Sequence, residues 1–268
     1  MKKRVLFVNQ EIMPYLPETH RSKIGRYLPQ GIQEKGKEIR TFMPRFGSIN
    51  ERRNQLHEVI RLSGMNLIID NQDHPLIIKV ASIQQARMQV YFIDNEEYFQ
   101  RKFTITDKDG NFFDDNDERT VFFSRGVLET VKKLGWAPDL VHCHGWMSSI
   151  VPLYIKKAFK DNPLFANTKV IVSLYNDKFE SKLKENLYQK IQMEGIDEED
   201  LEIYKGGNYT DLMLGALRYA DAIVYGDEDL SDDYIKMAEN TRKPILNYQG
   251  EEDYINAYNT FYDFLIER

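Results

Sequence analysis

The sequence has only one cysteine in 268 residues, Cys143, so no intramolecular disulfide can form. Positive charge is also scarce: 36 Lys and Arg face 42 Asp and Glu, giving a formal net charge of -6 and a pI near 5.5. Without a clustered cationic surplus there is no electrostatic basis for holding nucleic acid or an anionic membrane, and neither is expected as a partner. Long apolar runs are missing as well. No window approaches the roughly 18 to 20 apolar residues that span a bilayer. The start, MKKRVLFVNQEIMP, carries an apolar run of about five residues, too short for a secretory signal, and this points to the cytoplasm. Internal repeats and low-complexity segments are absent too.

What is present is an α/β rhythm in a chain whose 42% hydrophobic and 29% charged content suits a sizeable core. Val5, Leu6, Phe7 and Val8 form an unbroken β-branched and aromatic run, the pattern of a strand buried on both faces of a parallel sheet. A loop with Pro14 and Pro17 follows, then a helical stretch around 22–35 that stops at Gly36, then a strand over 39–43. This is a βαβ unit. Over about 57–94 the pattern changes to extended segments at 58–62, 67–70, 76–83 and 88–93 joined by polar turns, read as a β-rich insertion of hairpins.

The acidic turn at 114–117 offers an N-cap for a helix running to Leu134 and ending at Gly135. The alternation then resumes: strand 139–143, helix 147–160, strand 170–175, a charged helical region 178–202, helix 209–218 and strand 222–225. A C-terminal helix is expected over 251–268, with Tyr254, Tyr258, Phe261 and Leu265 on one apolar stripe that packs on the sheet or offers a protein-docking surface. Such an order specifies a Rossmann-like, doubly wound, mostly parallel sheet in one domain over 1–268, with its ligand crevice at the carboxyl ends of the strands.

Three segments carry a family resemblance. Glu11-Ile12-Met13-Pro14-Tyr15-Leu16 is similar to the E-M-F-P-L-L segment of glycogen and starch synthases. The run from Trp136 through Pro138, Asp139, His142 and His144 to Trp146 resembles their W-x-P-D-V-V-H-x-H-D-W. Leu214-Gly215-Ala216-Leu217-Arg218-Tyr219-Ala220-Asp221 resembles K-A-G-L-x-Y-A-D. The matches keep the family's order and span most of the chain. The resemblance implies the N-terminal half of a GT-B glycosyltransferase, which closes on ADP-glucose or UDP-glucose and extends an α-1,4-glucan.

The departures are as informative as the matches. Where the family reads K-T-G-G-L, a loop whose glycine backbone approaches the donor phosphates, this chain has Pro17, Glu18, Thr19, His20 and Arg21. Both glycines and the lysine are gone, although Arg21 and Lys23 can still present charge to an anion. The family's T-x-H-N falls on Ser173-Leu174-Tyr175-Asn176, which puts Tyr175 where a sugar-contacting histidine is implied. Gly145 replaces the acid of H-x-H-D-W, and Leu214 replaces a lysine. The resemblance also places most donor contacts on a second domain of comparable size, and the chain ends before one could begin. Transfer by the isolated chain is therefore expected to be abolished.

The candidate crevice residues are Glu11, His20, Arg21, Lys23, His142, His144, Trp146, Tyr175 and Asn176. None is assigned a catalytic role. His142 and His144 share one strand face, a spacing compatible with a metal, but no third ligand accompanies them, so structural or sugar-contacting roles are favoured and no metal or cofactor is expected. Trp146 can stack on a sugar or fill the core. The glycine pair Gly206-Gly207 reads as a turn, and Cys143 as a buried, inert thiol. Three readings remain. One is a non-catalytic relative that binds a glycan, nucleotide or small anion. The second is a glucosyltransferase completed by a separately encoded domain. The third is a scaffold that docks through its C-terminal helix.

Overall fold

The computed structural model describes residues 2–250 and 252–268. Glu251, the first residue of the expected C-terminal helix, lies outside them. The strands are β1 (Arg4–Asn9), β2 (Glu38–Pro44), β3 (His57–Glu58), β4 (Met65–Ile69), β5 (Gln72–Ile83), β6 (Met88–Asp94), β7 (Leu140–His144), β8 (Lys169–Leu174), β9 (Ala222–Tyr225) and β10 (Ile245–Leu246). They run in the order β10-β9-β8-β7-β1-β2-β6-β5-β3, with β4 paired to β5. From β10 across to β6 every neighbour pair is parallel. The β-rich stretch at 57–94 carries this sheet outward: β6 lies parallel to β2 and antiparallel to β5. The β4–β5 hairpin turns on Asp70 and Asn71, both at positive φ, 50° and 60°, as a two-residue turn of the primed type requires.

The helices are α1 (His20–Glu34), α2 (Glu96–Phe99), α3 (Asn116–Leu134), α4 (Val151–Lys156), α5 (Leu187–Ile191), α6 (Glu198–Leu201), α7 (Tyr209–Tyr219), α8 (Asp232–Asn240) and α9 (Tyr254–Ile266). Thr19 caps α1 reciprocally: its hydroxyl accepts from the Ser22 N–H at 2.9 Å while the Ser22 hydroxyl accepts from the Thr19 N–H at 2.8 Å. α3 has Asp117 and Glu118 in its first turn and Lys132 and Lys133 in its last, each complementing the helix dipole, and Gly135 ends it at φ 61°.

Two helical expectations shrink. Over 147–160 only α4 is an α-helix, because Trp146–Ser148 forms a tighter 3-10 turn and Pro152, which has no N–H to donate, sits in the first turn of α4. Over 178–202 only the short α5 and α6 form, since the charged stretch before α5 offers no apolar stripe to bury.

Strand alternation divides the core by face. Leu6, Val8, Val141, Cys143, Val170 and Val172 point into the larger cluster with Val121, Phe122 and Leu128 of α3. Val5, Phe7, Leu140 and Ile171 point the other way, against Leu28 and Ile32 of α1 and Tyr258, Tyr262 and Leu265 of α9. α9 is tied down at its rim by Lys37, which reaches Asp263 at 2.9 Å and Asn259 at 2.6 Å.

Candidate functional site

The carboxyl ends of β1, β7, β8 and β9 converge beneath the first turn of α1. The register sets Asn9 beside His144 and His144 beside Ser173. Because His142 and His144 alternate with Val141 and Cys143, which point into the larger core cluster, both imidazoles lie on the α1 and α9 side. Their ring centroids are 3.9 Å apart. His142 Nδ1 is 2.6 Å from the Tyr262 hydroxyl of α9 and its Nε2 is 2.8 Å from the Ser173 hydroxyl. His144 Nδ1 is 2.7 Å from the Tyr175 hydroxyl. Burial pulls both histidines down, His142 well below the ordinary imidazole range and His144 to about 3, with the charge of Arg21 adding to the effect on His144. Both are neutral at neutral pH.

Above them Arg21 is held between two carboxylates. One guanidinium nitrogen donates to Glu11 and another to Asp177, and the guanidinium carbon lies 5.8 Å from the centroid of the Tyr175 ring. The three charged side chains keep only 15%, 19% and 12% of their surface in the order Arg21, Glu11, Asp177. Glu11 also accepts from the Thr19 hydroxyl at 2.8 Å, and Asp177 from the hydroxyl of Tyr209 in α7. Burial would lower the guanidinium, but the charges of Asp177 and Glu11 outweigh it and hold Arg21 up. Burial raises the Asp177 carboxyl, yet donors sit on both of its oxygens, the arrangement of an ionised acceptor. The cation that could have faced an anionic ligand is thus neutralised by the protein itself.

The other candidates scatter around this centre. His20 is exposed, and its Nε2 meets the Gly226 carbonyl at 2.8 Å. Lys23 pairs with Glu18 at 2.7 Å. Asn176 pins the loop after β9: its side chain donates to the Asp229 carbonyl at 2.9 Å and accepts from the Ser231 N–H at 3.1 Å. Trp146 is 1% exposed and belongs to the opposite face, packed on Phe112 and Phe179, so it fills the core and is apart from the crevice. Asp177, Thr19 and Asn9 are the residues that sequence reasoning passed over. Asn9 is fully buried, and neither atom of its carboxamide, nor Nε2 of His144, has a hydrogen-bond partner among the described residues. Its place at the end of the first strand was the available signal. Among the described residues no group of three or more His, Cys, Asp or Glu could hold a metal ion, and no helix is long and apolar enough to cross a membrane.

Gly145 follows His144 at φ 84° and ψ 154°, a backbone region that is essentially confined to glycine. A Cβ there would lie 2.7 Å from the Gln10 side-chain oxygen. That oxygen accepts from the Met147 N–H at 3.2 Å.

A doubly wound, mostly parallel sheet with polar side chains gathered at the strands' carboxyl ends defines the class as a Rossmann-like domain. The comparisons agree, and they are specific. Residues 4–238 match the family described as starch synthase catalytic domain. A glycogen synthase of Chlorobium limicola (strain DSM 245 / NBRC 103803 / 6330) is 32% identical over 231 residues, covering 84% of this chain and 47% of that protein. One from Chlorobium phaeobacteroides (strain DSM 266 / SMG 266 / 2430) is 33% identical over 235 residues, with 84% and 48% covered. The catalytic domain of starch synthase IV from Arabidopsis thaliana, solved bound to ADP and acarbose, superposes with a TM-score of 0.72 at 16% identity, covering 93% of this chain and 52% of that one. This chain belongs to the starch synthase catalytic domain family. It spans about half the length of the glycogen synthases it matches.

Proposed function

We propose that this domain is a carbohydrate-binding relative of the glycogen synthases that does not itself transfer glucose. The observation that carries the reading is the occupation of Arg21 by Glu11 and Asp177. A donor sugar nucleotide brings a pyrophosphate, and its leaving charge must be met by preorganised cations and N–H groups. Here the crevice cation is already paired. The backbone before it carries Pro17, Glu18 and Thr19, of which the first lacks an N–H and the second repels phosphate. A neutral, hydroxyl-rich ligand meets no such obstacle, so a glycan suits the site better than a nucleotide. The match to glycogen synthases supports a glucan as the class; the Arabidopsis neighbour, solved with both ADP and acarbose, is compatible with either ligand, and the paired Arg21 decides between them.

The test is direct. The protein is incubated with glycogen and radiolabelled ADP-glucose or UDP-glucose, and its melting temperature is followed with maltooligosaccharides and with ADP. Stabilisation by the oligosaccharide with no incorporated label is the expected result, because a ligand that binds only the folded state must raise apparent stability. Glucose incorporation above a no-enzyme control would overturn it.

A further inference from the structure

Three polar groups at the floor of the crevice are closed to solvent and reach no protein partner. Asn9, at the end of β1, is 0% exposed, and neither its Oδ1 nor its Nδ2 is hydrogen-bonded among the described residues. His144, at the end of β7, is 1% exposed; its Nδ1 meets the Tyr175 hydroxyl at 2.7 Å, while its Nε2 is unpartnered. Arg21 commits two guanidinium nitrogens to Glu11 and Asp177, and its Nε is buried without an acceptor. The topology gathers the three groups. Asn9 and His144 are register partners on neighbouring parallel strands, and alternation with Val8 turns Asn9 to the same α1 side. The guanidinium reaches from Glu11, beyond β1, to Asp177, beyond β8, and β7 runs between those two strands.

We propose that Asn9, His144 and Arg21 enclose a buried-water site, in which a bound water bridges Nε2 of His144, the carboxamide of Asn9 and Nε of Arg21. Polar atoms shut away from solvent nearly always hold a partner, and an internal water with about two to four polar neighbours is a common one. The donor and acceptor inventory selects this occupant. Nε–H of Arg21 can only donate, whereas Asn9 offers both a donor and an acceptor. A water that accepts from Arg21 has its own two protons to give, and Oδ1 of Asn9 and Nε2 of His144 stand to receive them. A cation would be repelled by the guanidinium, and an anion would meet Glu11 and Asp177, which already neutralise it. His144 accordingly carries its proton on Nδ1 and donates it to the Tyr175 hydroxyl. The water is a fixed part of the crevice floor, since neither Asn9 nor His144 is open to the surface.

A high-resolution crystal structure of the full chain is expected to show a water about 3 Å from Nε2 of His144 and from the Asn9 side chain. Nitrogen-15 NMR of the same protein is expected to find His144 protonated on Nδ1 and bare at Nε2. Asn9→Leu then gives opposite signs for the two cases. With the water in place, the substitution breaks a satisfied network and lowers the melting temperature by a few degrees; an Asn9 that is simply unpaired would give an unchanged or higher melting temperature when an apolar side chain of similar size replaces it. If Asn9→Leu does not fold, the crystal structure and the NMR of the wild type decide. Density that shows no water between Asn9 and His144, a His144 protonated on Nε2, or an Asn9→Leu protein at least as stable as wild type overturns the site.

Discussion

The Tyr175 hydroxyl lies 2.7 Å from Nδ1 of His144 and ties the end of β8 to the end of β7 across the floor of the crevice. Tyr175 stands where the family resemblance implies a histidine that faces the transferred sugar. In this chain the phenol is 3% exposed and turned inward, spent on a neighbouring strand. The two residues are therefore joined as structure. Tyr175→Phe is expected to cost about 1 kcal/mol, the usual net worth of one hydrogen bond. His144→Ala removes a side chain that is 1% exposed, and should cost more, about 2–4 kcal/mol, by adding a cavity to the lost bond. Urea unfolding of both variants checks the order. A His144→Ala protein as stable as wild type would place His144 at the ligand surface.

Stability should depend on pH through these histidines. An imidazole that is buried and neutral in the folded state, at about 3 for His144 and well below 6.5 for His142, binds its proton first in the unfolded chain. The stabilisation is thus complete above the unfolded value near 6.5 and is lost as pH falls below it, by up to about 1.4 kcal/mol per pH unit for each histidine. Acids held down in the folded state, such as Glu51 and Glu118 beside their lysines, act in the same direction but only below about pH 4.5. Chemical unfolding at pH 7, 6 and 5 is expected to show the decline already in the histidine window, and His142→Gln/His144→Gln to flatten it there.

Restoring the family's acid after His144 should fail. Gly145 occupies a backbone conformation that other residues enter at a cost of about 1–3 kcal/mol, and the Gln10 side chain fills the space beside it. Gly145→Asp is expected to lower the melting temperature and to give no glucose transfer. A stable Gly145→Asp protein would show that Gln10 and the turn can rearrange.

The sheet was legible in the sequence because its central strands, such as Val5 to Val8, are continuous apolar runs bounded by turn residues, and a strand buried on both faces leaves that signature. The end of α3 at Gly135 was readable from an equally local signal, whereas the Thr19 cap of α1 was not read. The site was legible only in part. Glu11, Arg21, His142, His144 and Tyr175 do gather in one crevice, but their pairings join positions far apart in the chain, as with Arg21 and Asp177 or His142 and Tyr262. No local pattern encodes such partners. For Trp146 the sequence left sugar stacking and core filling both open, because one step in strand-to-turn geometry decides which face it serves; it fills the core on the α3 side.

Arg21 supplies the sharpest test of why the crevice cations, among the described residues, are paired. Removing both of its carboxylate partners leaves a guanidinium with 15% of its surface exposed and no counter-charge, which costs about 3–5 kcal/mol when a buried pair is broken. An added anion that reaches Arg21 would recover part of that loss. Glu11→Gln/Asp177→Asn is accordingly expected to melt well below wild type and to gain stability with rising inorganic phosphate, while wild type, whose Arg21 is satisfied, gains none. Scanning fluorimetry over a phosphate series at constant ionic strength reads the difference. Equal phosphate stabilisation of the two proteins would mean that Glu11 and Asp177 do not occupy the anion's place, and that the crevice can take a nucleotide as it stands.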